Sequence, residues 1–448
     1  MPVTERVEDL LHRDPRSEGD LAALSTQARS LPVGELSYLV ATSTAQRAAV
    51  LYRVLDKDTA LSVFEDLTPA DQAALVGALR STETAQLISA LDPDDRAGLL
   101  DELPASVADR LITGLSPAER QMTATVLGYP RDAIGRYMSP EVLALPEDMT
   151  AAAALAQVRA RIDEPETVYL LPVVDTTRKL TGVIGLRALL SAAPDARIDD
   201  IAKPAVSARA IDDREATARR FRSEKLLAMP IVDLEERLVG ILTVDDAIDI
   251  IDEEDTENAA RTGGAEPLRG SYLSTSTLRI VRSRVVWLLV LAVSAVLTVQ
   301  VLDIFEDRLD QVVVLALFIP LLTGTGGNTG NQAATTVTRA LAIGQVRARD
   351  LPRVIWRELR VGAALGALLG TLGLITAAVA FTPGIGLVIG LTLLAICTMA
   401  AVVGGIMPLI AHKTGADPAV FSNPFISTFC DATGLVIYFT IATPVLGL

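Results

Sequence analysis

Cysteine and histidine are nearly absent from this chain. Of its 448 residues two are cysteines, Cys397 and Cys430, and both lie inside apolar segments. That excludes a disulfide framework and a thiolate metal centre, and it leaves the pair as small buried hydrophobes. The two histidines, His12 and His412, stand alone, with no nucleophile and base grouped near either, so an enzyme is the least favoured class. No G-x-x-x-x-G-K-[ST] loop occurs, which argues against transport driven by ATP hydrolysis. The first residues, MPVTERVEDLLHRD, lack the apolar core of a signal peptide, so the part preceding the first long apolar run is expected in the cytoplasm.

Positive charge is also in deficit. Forty Lys and Arg face 55 Asp and Glu, for a net charge of -15. An acidic protein repels nucleic acid and phospholipid headgroups and attracts cations, so no nucleic-acid partner is expected. Residues 285–448 hold eight acids and eight bases, which confines the imbalance to residues 1–284. The chain is thus an acidic soluble half joined to a neutral half in contact with membrane lipid.

The soluble half opens with a helical repeat. Thr68-Pro69-Ala70-Asp71, Asp92-Pro93-Asp94-Asp95 and Ser116-Pro117-Ala118-Glu119 recur every 24 residues, each after a leucine (Leu67, Leu91, Leu115). Each has a capping residue, proline at the first helical position and an acid in the first turn. Short helices at a fixed period predict a superhelical stack over residues 1–130. Asp94 and Asp95 read as capping and solvating acids or as part of a cation sensor.

Residues 131–252 carry a longer repeat. Leu171-Pro172-Val173-Val174-Asp175 followed by Gly182-Val183-Ile184 returns 58 residues later as Met229-Pro230-Ile231-Val232-Asp233 and Gly240-Ile241-Leu242. With the alanine-rich stretches Thr150 to Arg161 and Asp212 to Ser223, both copies read as β-α-β-β-α units. They resemble a tandem pair of CBS domains, which implies side-by-side association and binding of ATP or another adenosine nucleotide. The second copy, Gly240 to Asp246, carries the ribose-phosphate pattern, implying Thr243 and Asp246 as nucleotide contacts; the first copy departs from it.

An acidic run follows: Asp245, Asp246, Asp249, Asp252, Glu253, Glu254, Asp255 and Glu257, eight acids in thirteen residues. Asp246, Asp249 and Glu253 share a helix face, where like charges repel unless a cation intervenes. Magnesium and calcium take such oxygens, so the run is a candidate divalent-cation sensor, with a solvated acidic face as the alternative. Ala259 to Ser276, with Gly263-Gly264, Pro267 and Gly270, reads as a linker or broken helix. The segment 253–284 is expected to connect the soluble domains to the membrane.

Five spans are expected in residues 285–448. Val285 to Leu302 and Gln311 to Thr338 are uncharged, Val361 to Ala411 is long enough for two spans turning at Thr382-Pro383-Gly384, and Pro418 to Leu448 supplies the fifth. Arg339, Arg347, Arg349, Arg353, Arg357 and Arg360 mark a cytoplasmic loop, which sets the C-terminus outside.

Two features of these spans carry chemistry. Pro320 to Gln332 puts glycines and the carboxamides of Asn328, Asn331 and Gln332 at membrane depth, where lipid satisfies none of them. The last 31 residues hold one charge, Asp431, and an intramembrane carboxylate costs at least about 2.5–3.5 kcal/mol. Asn423, Ser427 and Asp431 are spaced by four, which makes one stripe of oxygen ligands, and Pro424 is expected to loosen the backbone beside them.

Pro320 to Gln332, Asn423-Pro424 and Asp431, behind a CBS pair and a helical superhelix, resemble the MgtE family of bacterial magnesium channels over essentially the whole chain. The resemblance implies a homodimer in the cell membrane with spans two and five lining the pore. It implies that Asp431 holds hydrated Mg2+ beside Asn423, and that the cytosolic acids bind Mg2+ and close the pore. A gating helix is implied near Pro267 to Arg284. A Co2+ or Mn2+ path, an ion-coupled carrier, and a membrane-anchored nucleotide or metal sensor are the competing readings.

Overall fold

The computed structural model describes residues 2–13, 18–268, 270–273, 275–414 and 423–448. The chain divides into two compact units, Met1–Glu254 with Leu268–Ser276, and Asp255–Pro267 with Thr277–Leu448.

The first unit opens with short helices of nine to eleven residues, running from Val3–His12 to Pro117–Leu127. Their boundaries follow from the capping chemistry. Thr68 Oγ1 accepts from the Asp71 amide, Ser116 and Glu119 close a reciprocal capping box, and Pro69, Pro93 and Pro117 each stand in a first turn. Helices pack on the next but one: Ala45–Arg53 on Pro69–Ala78, that helix on Pro93–Glu102, and the latter on Pro117–Leu127. This is the expected superhelical stack, with Leu67, Leu91 and Leu115 buried between layers. Asp92 departs from the capping expectation, since its side chain makes no cap hydrogen bond. Its carboxylate instead lies within 4.8 Å of other carboxylates, as described below.

Two α/β units follow. In the first, β1 (Leu145–Pro146) runs parallel to β2 (Leu170–Val174), which pairs antiparallel with β3 (Leu180–Gly185). In the second, β4 (Ala208–Arg209), β5 (Ala228–Val232) and β6 (Leu238–Thr243) repeat that order. The helices Ala151–Ala160 and Arg214–Glu224 start at the caps Thr150 and Asp213, each accepting from the amide three residues on. Strand β5 is buried at every position, as a strand covered on both faces requires. From β6 the chain enters the helix Val244–Thr262, which carries the acidic run.

That helix ends at Gly264, whose φ of +70° suits glycine and closes a C-terminal cap with Gly264 N donating to Arg261 O. The described residues of 265–276 form no helix, and Thr277 to Arg284 are the opening turns of the first span. The gating helix expected near Pro267 to Arg284 is therefore not a separate element, because glycine and proline interrupt the backbone there. Val244–Thr262 is the helix that leaves the α/β units.

Among its described residues the second unit contains five helices long and apolar enough to cross a membrane: Thr277–Ile304, Val313–Ala342, Ala348–Ala380, Pro383–Ala411 and Pro424–Leu446. The fourth packs on the second, third and fifth and forms the centre. The third begins within the arginine-rich stretch, so Arg353, Arg357, Glu358 and Arg360 lie in its first turns rather than in a loop. Glycine allows the close approach of third and fourth spans: a Cβ on Gly370 would meet Gly390 O at 2.6 Å. Pro424 is the second described residue of the fifth helix. Tyr438 anchors this helix by donating to Leu315 O at 3.0 Å, and Phe439 stacks on Phe305. Cys397 and Cys430 are buried.

Candidate functional site

The glycine run of the second span sets the geometry of the membrane site. Gly326, Gly327 and Gly330 lie on its packed face, where side chains of the fourth and fifth spans fill the space a Cβ would need. Ile396 presses on Gly326, Ile426 on Gly330, and a Cβ on Gly327 would sit 3.1 Å from Ser427 Oγ. This closeness brings two of the expected polar residues together, with Asn331 Nδ2 donating to Ser427 Oγ at 3.0 Å. Asn331 Oδ1 is buried with no hydrogen-bond partner among the described residues. Asp431 follows Ser427 by one helical turn and is half-buried, whereas Asn328 and Gln332 are exposed on the second span. Asn423 begins the fifth helix, but its side chain lies outside the described residues.

In the first unit the acids gather. Carboxylate oxygens of Glu65, Asp92 and Asp95 lie within 4.8 Å of one another, as do those of Asp92, Glu141 and Glu166. Asp94 joins them with an Oδ1 that is buried and has no hydrogen-bond partner among the described residues. The start of the acidic helix faces the same group. Burial pushes Asp94 well above the usual carboxylate range, and Asp246 and Asp95 add repulsion. Asp95 is pushed up to about 8 by burial and then by Asp246, Asp92 and Glu65. Glu166 rises to about 7 through burial, Asp92 and Asp246, and Asp246 to about 6 through burial and the charge of Asp245. Asp249 is raised by burial and by Asp245. Thr243 Oγ1 donates to Asp246 Oδ2 at 2.6 Å, so the two expected nucleotide contacts are bonded to each other.

The later acids of the run have other surroundings. Arg214 pairs with Glu253 at 2.7 Å and with Glu254 at 2.8 Å, and Arg261 pairs with Glu257 at 2.9 Å. Asp252 and Asp255 are exposed. Sequence reasoning missed Glu65, Asp92, Glu141 and Glu166 as site residues. The one available signal was Asp92, an acid at a cap beside two further acids.

An all-oxygen, carboxylate-rich cluster whose members are pushed above the usual carboxylate range by burial and mutual repulsion, with an orphaned carboxylate oxygen among them, suits a hard divalent cation. An apolar five-span domain with a polar seam, joined to such a cluster, defines a multi-pass membrane transport protein. The comparisons with known proteins agree. Residues 319–441 match the MgtE divalent cation transporter model, residues 31–132 the MgtE intracellular N domain, and residues 134–195 and 198–253 CBS domains. The chain is 38% identical over 318 residues to the magnesium transporter MgtE of Thermus thermophilus, covering 70% of each chain. It is 33% identical to the magnesium transporter MgtE of Enterococcus faecalis, over 71% of this chain and 70% of that one. A solved structure of the cytosolic domain of the Mg2+ channel MgtE in complex with ATP matches 52% of this chain and 96% of its own, at 32% identity and a TM-score of 0.50. The chain belongs to the MgtE family of magnesium transporters.

Proposed function

We propose that the chain forms a homodimeric, magnesium-selective channel that imports Mg2+ down its electrochemical gradient and closes when Mg2+ accumulates in the cytosol. The observation that carries the reading is the seam where Asn331 of the second span bonds Ser427 of the fifth, one turn from Asp431. The exposed carboxamides of Asn328 and Gln332 support it, since lipid cannot satisfy them and a water-filled pore can. Magnesium sheds water reluctantly, so a pore for it needs few carboxylates and several neutral oxygens. Two copies of Asp431 supply two negative charges to one divalent ion, with Asn423 and Ser427 completing the oxygen stripe.

Dimerisation draws support from the α/β pair. Tyr169 and Leu227 are 70% and 66% exposed and occupy equivalent repeat positions, as do Leu190 and Ile248. A second copy covers such a pseudo-symmetric apolar surface. In this reading residues 1–130 and 131–252 are cytoplasmic domains, 253–284 connects them to the membrane domain 285–448, and the C-terminus is outside.

The residues that would hold cytosolic Mg2+ are Glu65, Asp92, Asp94, Asp95, Glu141 and Glu166 together with Asp245, Asp246 and Asp249. The ion supplies positive charge that relieves their mutual repulsion. It thereby favours the packing of the helical stack on the α/β pair, both within the first unit. An adenosine nucleotide at Thr243 and Asp246 is a second role for that corner, favoured by the ATP complex of the related cytosolic domain.

The test is Asp431→Ala in a magnesium-auxotrophic strain. Loss of rescue at equal expression is expected; unchanged rescue contradicts the pore assignment.

A further inference from the structure

Arg214 is the first residue of the helix Arg214–Glu224, directly after its cap Asp213, and its own amide donates to Asp132 O at 2.9 Å. Its guanidinium lies 5.2 Å from the Tyr137 ring centre and donates to the Tyr137 hydroxyl. It also forks between two consecutive carboxylates of the acidic helix, with Nη1 at 2.7 Å from Glu253 Oε2 and Nη2 at 2.8 Å from Glu254 Oε1. The Arg214 side chain is 11% exposed and that of Glu254 16%. One planar cation therefore joins three segments: the entry to the α/β pair at Tyr137, a helix of the second α/β unit, and the helix Val244–Thr262.

The acidic helix is thus divided by its counter-charges. In its first turns Asp246 and Asp249 are raised by burial and by the charge of Asp245, and Asp66 of the helical stack adds to the rise of Asp249. Glu253, Glu254 and Glu257 each have an arginine. A guanidinium bound to two carboxylates and stacked on a ring is pre-organised as a lysine ammonium is not. Removing it leaves adjacent carboxylates that repel each other on one helix.

We infer that Arg214 is a positioning residue for closure: a tethered counter-cation that keeps Glu253 and Glu254 docked on the second α/β unit whether or not magnesium is present. Magnesium then acts on the first turns of a helix whose middle is already fixed. The inference rests on the proposed closure by cytosolic Mg2+, but the docking itself is measurable without it.

The experiment is hydrogen exchange read by mass spectrometry on the full chain in lipid nanodiscs, with and without MgCl2, for the parent, R214Q, R214K and E253Q/E254Q. In the parent, amides 250–262 keep the same protection in both conditions. In R214Q without magnesium they exchange about tenfold faster, and MgCl2 restores protection because an ion can then bridge the freed carboxylates. R214K is intermediate, since one ammonium cannot fork and stack. E253Q/E254Q exchanges fast and magnesium does not restore it. Unchanged protection in R214Q overturns the inference, and so does a parent whose protection at 250–262 rises with MgCl2 as much as that of R214Q. If R214Q exposes the whole first unit, E253Q/E254Q decides: fast exchange confined to 250–262 supports the docking, and parent-like exchange overturns it. Magnesium flux that never closes in the parent refutes the closure reading while leaving the exchange result standing.

Discussion

Gly404 of the fourth span lies against the backbone of Gly330 in the second, and Gly404→Ala tests how tightly the pore helix is held. A Cβ at position 404 would meet Gly330 C at 2.8 Å and its Cα at 3.0 Å, inside ordinary contact. Both are backbone atoms, so no rotamer change relieves the clash and the helices must part by roughly half an ångström or more. The next residue is Asn331, whose 3.0 Å bond to Ser427 stretches to its limit with a shift of that size. Overpacking costs about 1–3 kcal/mol and a lost interhelical hydrogen bond about 0.6 kcal/mol, so the expected destabilisation is about 2–4 kcal/mol. Thermal denaturation of the purified protein in detergent measures it, beside Gly77→Ala as control. Position 77 is exposed with nothing within 4 Å of a Cβ, so alanine there gains up to about 1 kcal/mol of helix propensity. Transport by Gly404→Ala should fall with its stability. A variant as stable and as active as the parent refutes the backbone-to-backbone packing of second and fourth spans.

Two further outcomes follow from the cytosolic cluster and the membrane seam. Asp95, Glu166 and Asp246, raised to about 8, 7 and 6, are protonated at low pH, where the first unit is stable without an ion. That stability is lost as the pH rises through these values and the groups ionise, so magnesium becomes necessary there. The magnesium concentration that stabilises the full chain against proteolysis should therefore drop about tenfold per pH unit for each proton displaced, and a midpoint that does not move with pH counts against the cluster. At the seam, a double-mutant cycle of Asn331→Ala and Ser427→Ala should give a coupling of about 0.6–1.7 kcal/mol in denaturation, and strict additivity would deny the hydrogen bond.

The parts of the molecule written in local pattern were legible in the sequence. Charge-free runs announced five spans, Thr68 and Ser116 announced helix starts, and the 58-residue repeat announced two matching sheets. The third span began earlier than expected because its first turns carry Arg353, Arg357 and Arg360, which a helix at a membrane surface can expose to water. Asp92 obeyed the capping pattern in sequence and not in structure, because its value as a cap competes with four neighbouring acids. Glu65, Glu141 and Glu166 could not be found by spacing, since only tertiary packing brings them to Asp92. The pairing of Glu253 and Glu254 with Arg214 was hidden for the same reason: the arginine comes from another helix, 39 residues before Glu253.

The most direct test of the channel reading is Mg2+ flux into liposomes holding the purified protein, with no energy source, at increasing magnesium on the face bearing the soluble domains. The account predicts passive flux that fades as that magnesium rises and that is lost in Asp431→Ala. Flux that needs a coupled ion, or that is indifferent to both Asp431 and magnesium on that face, contradicts it.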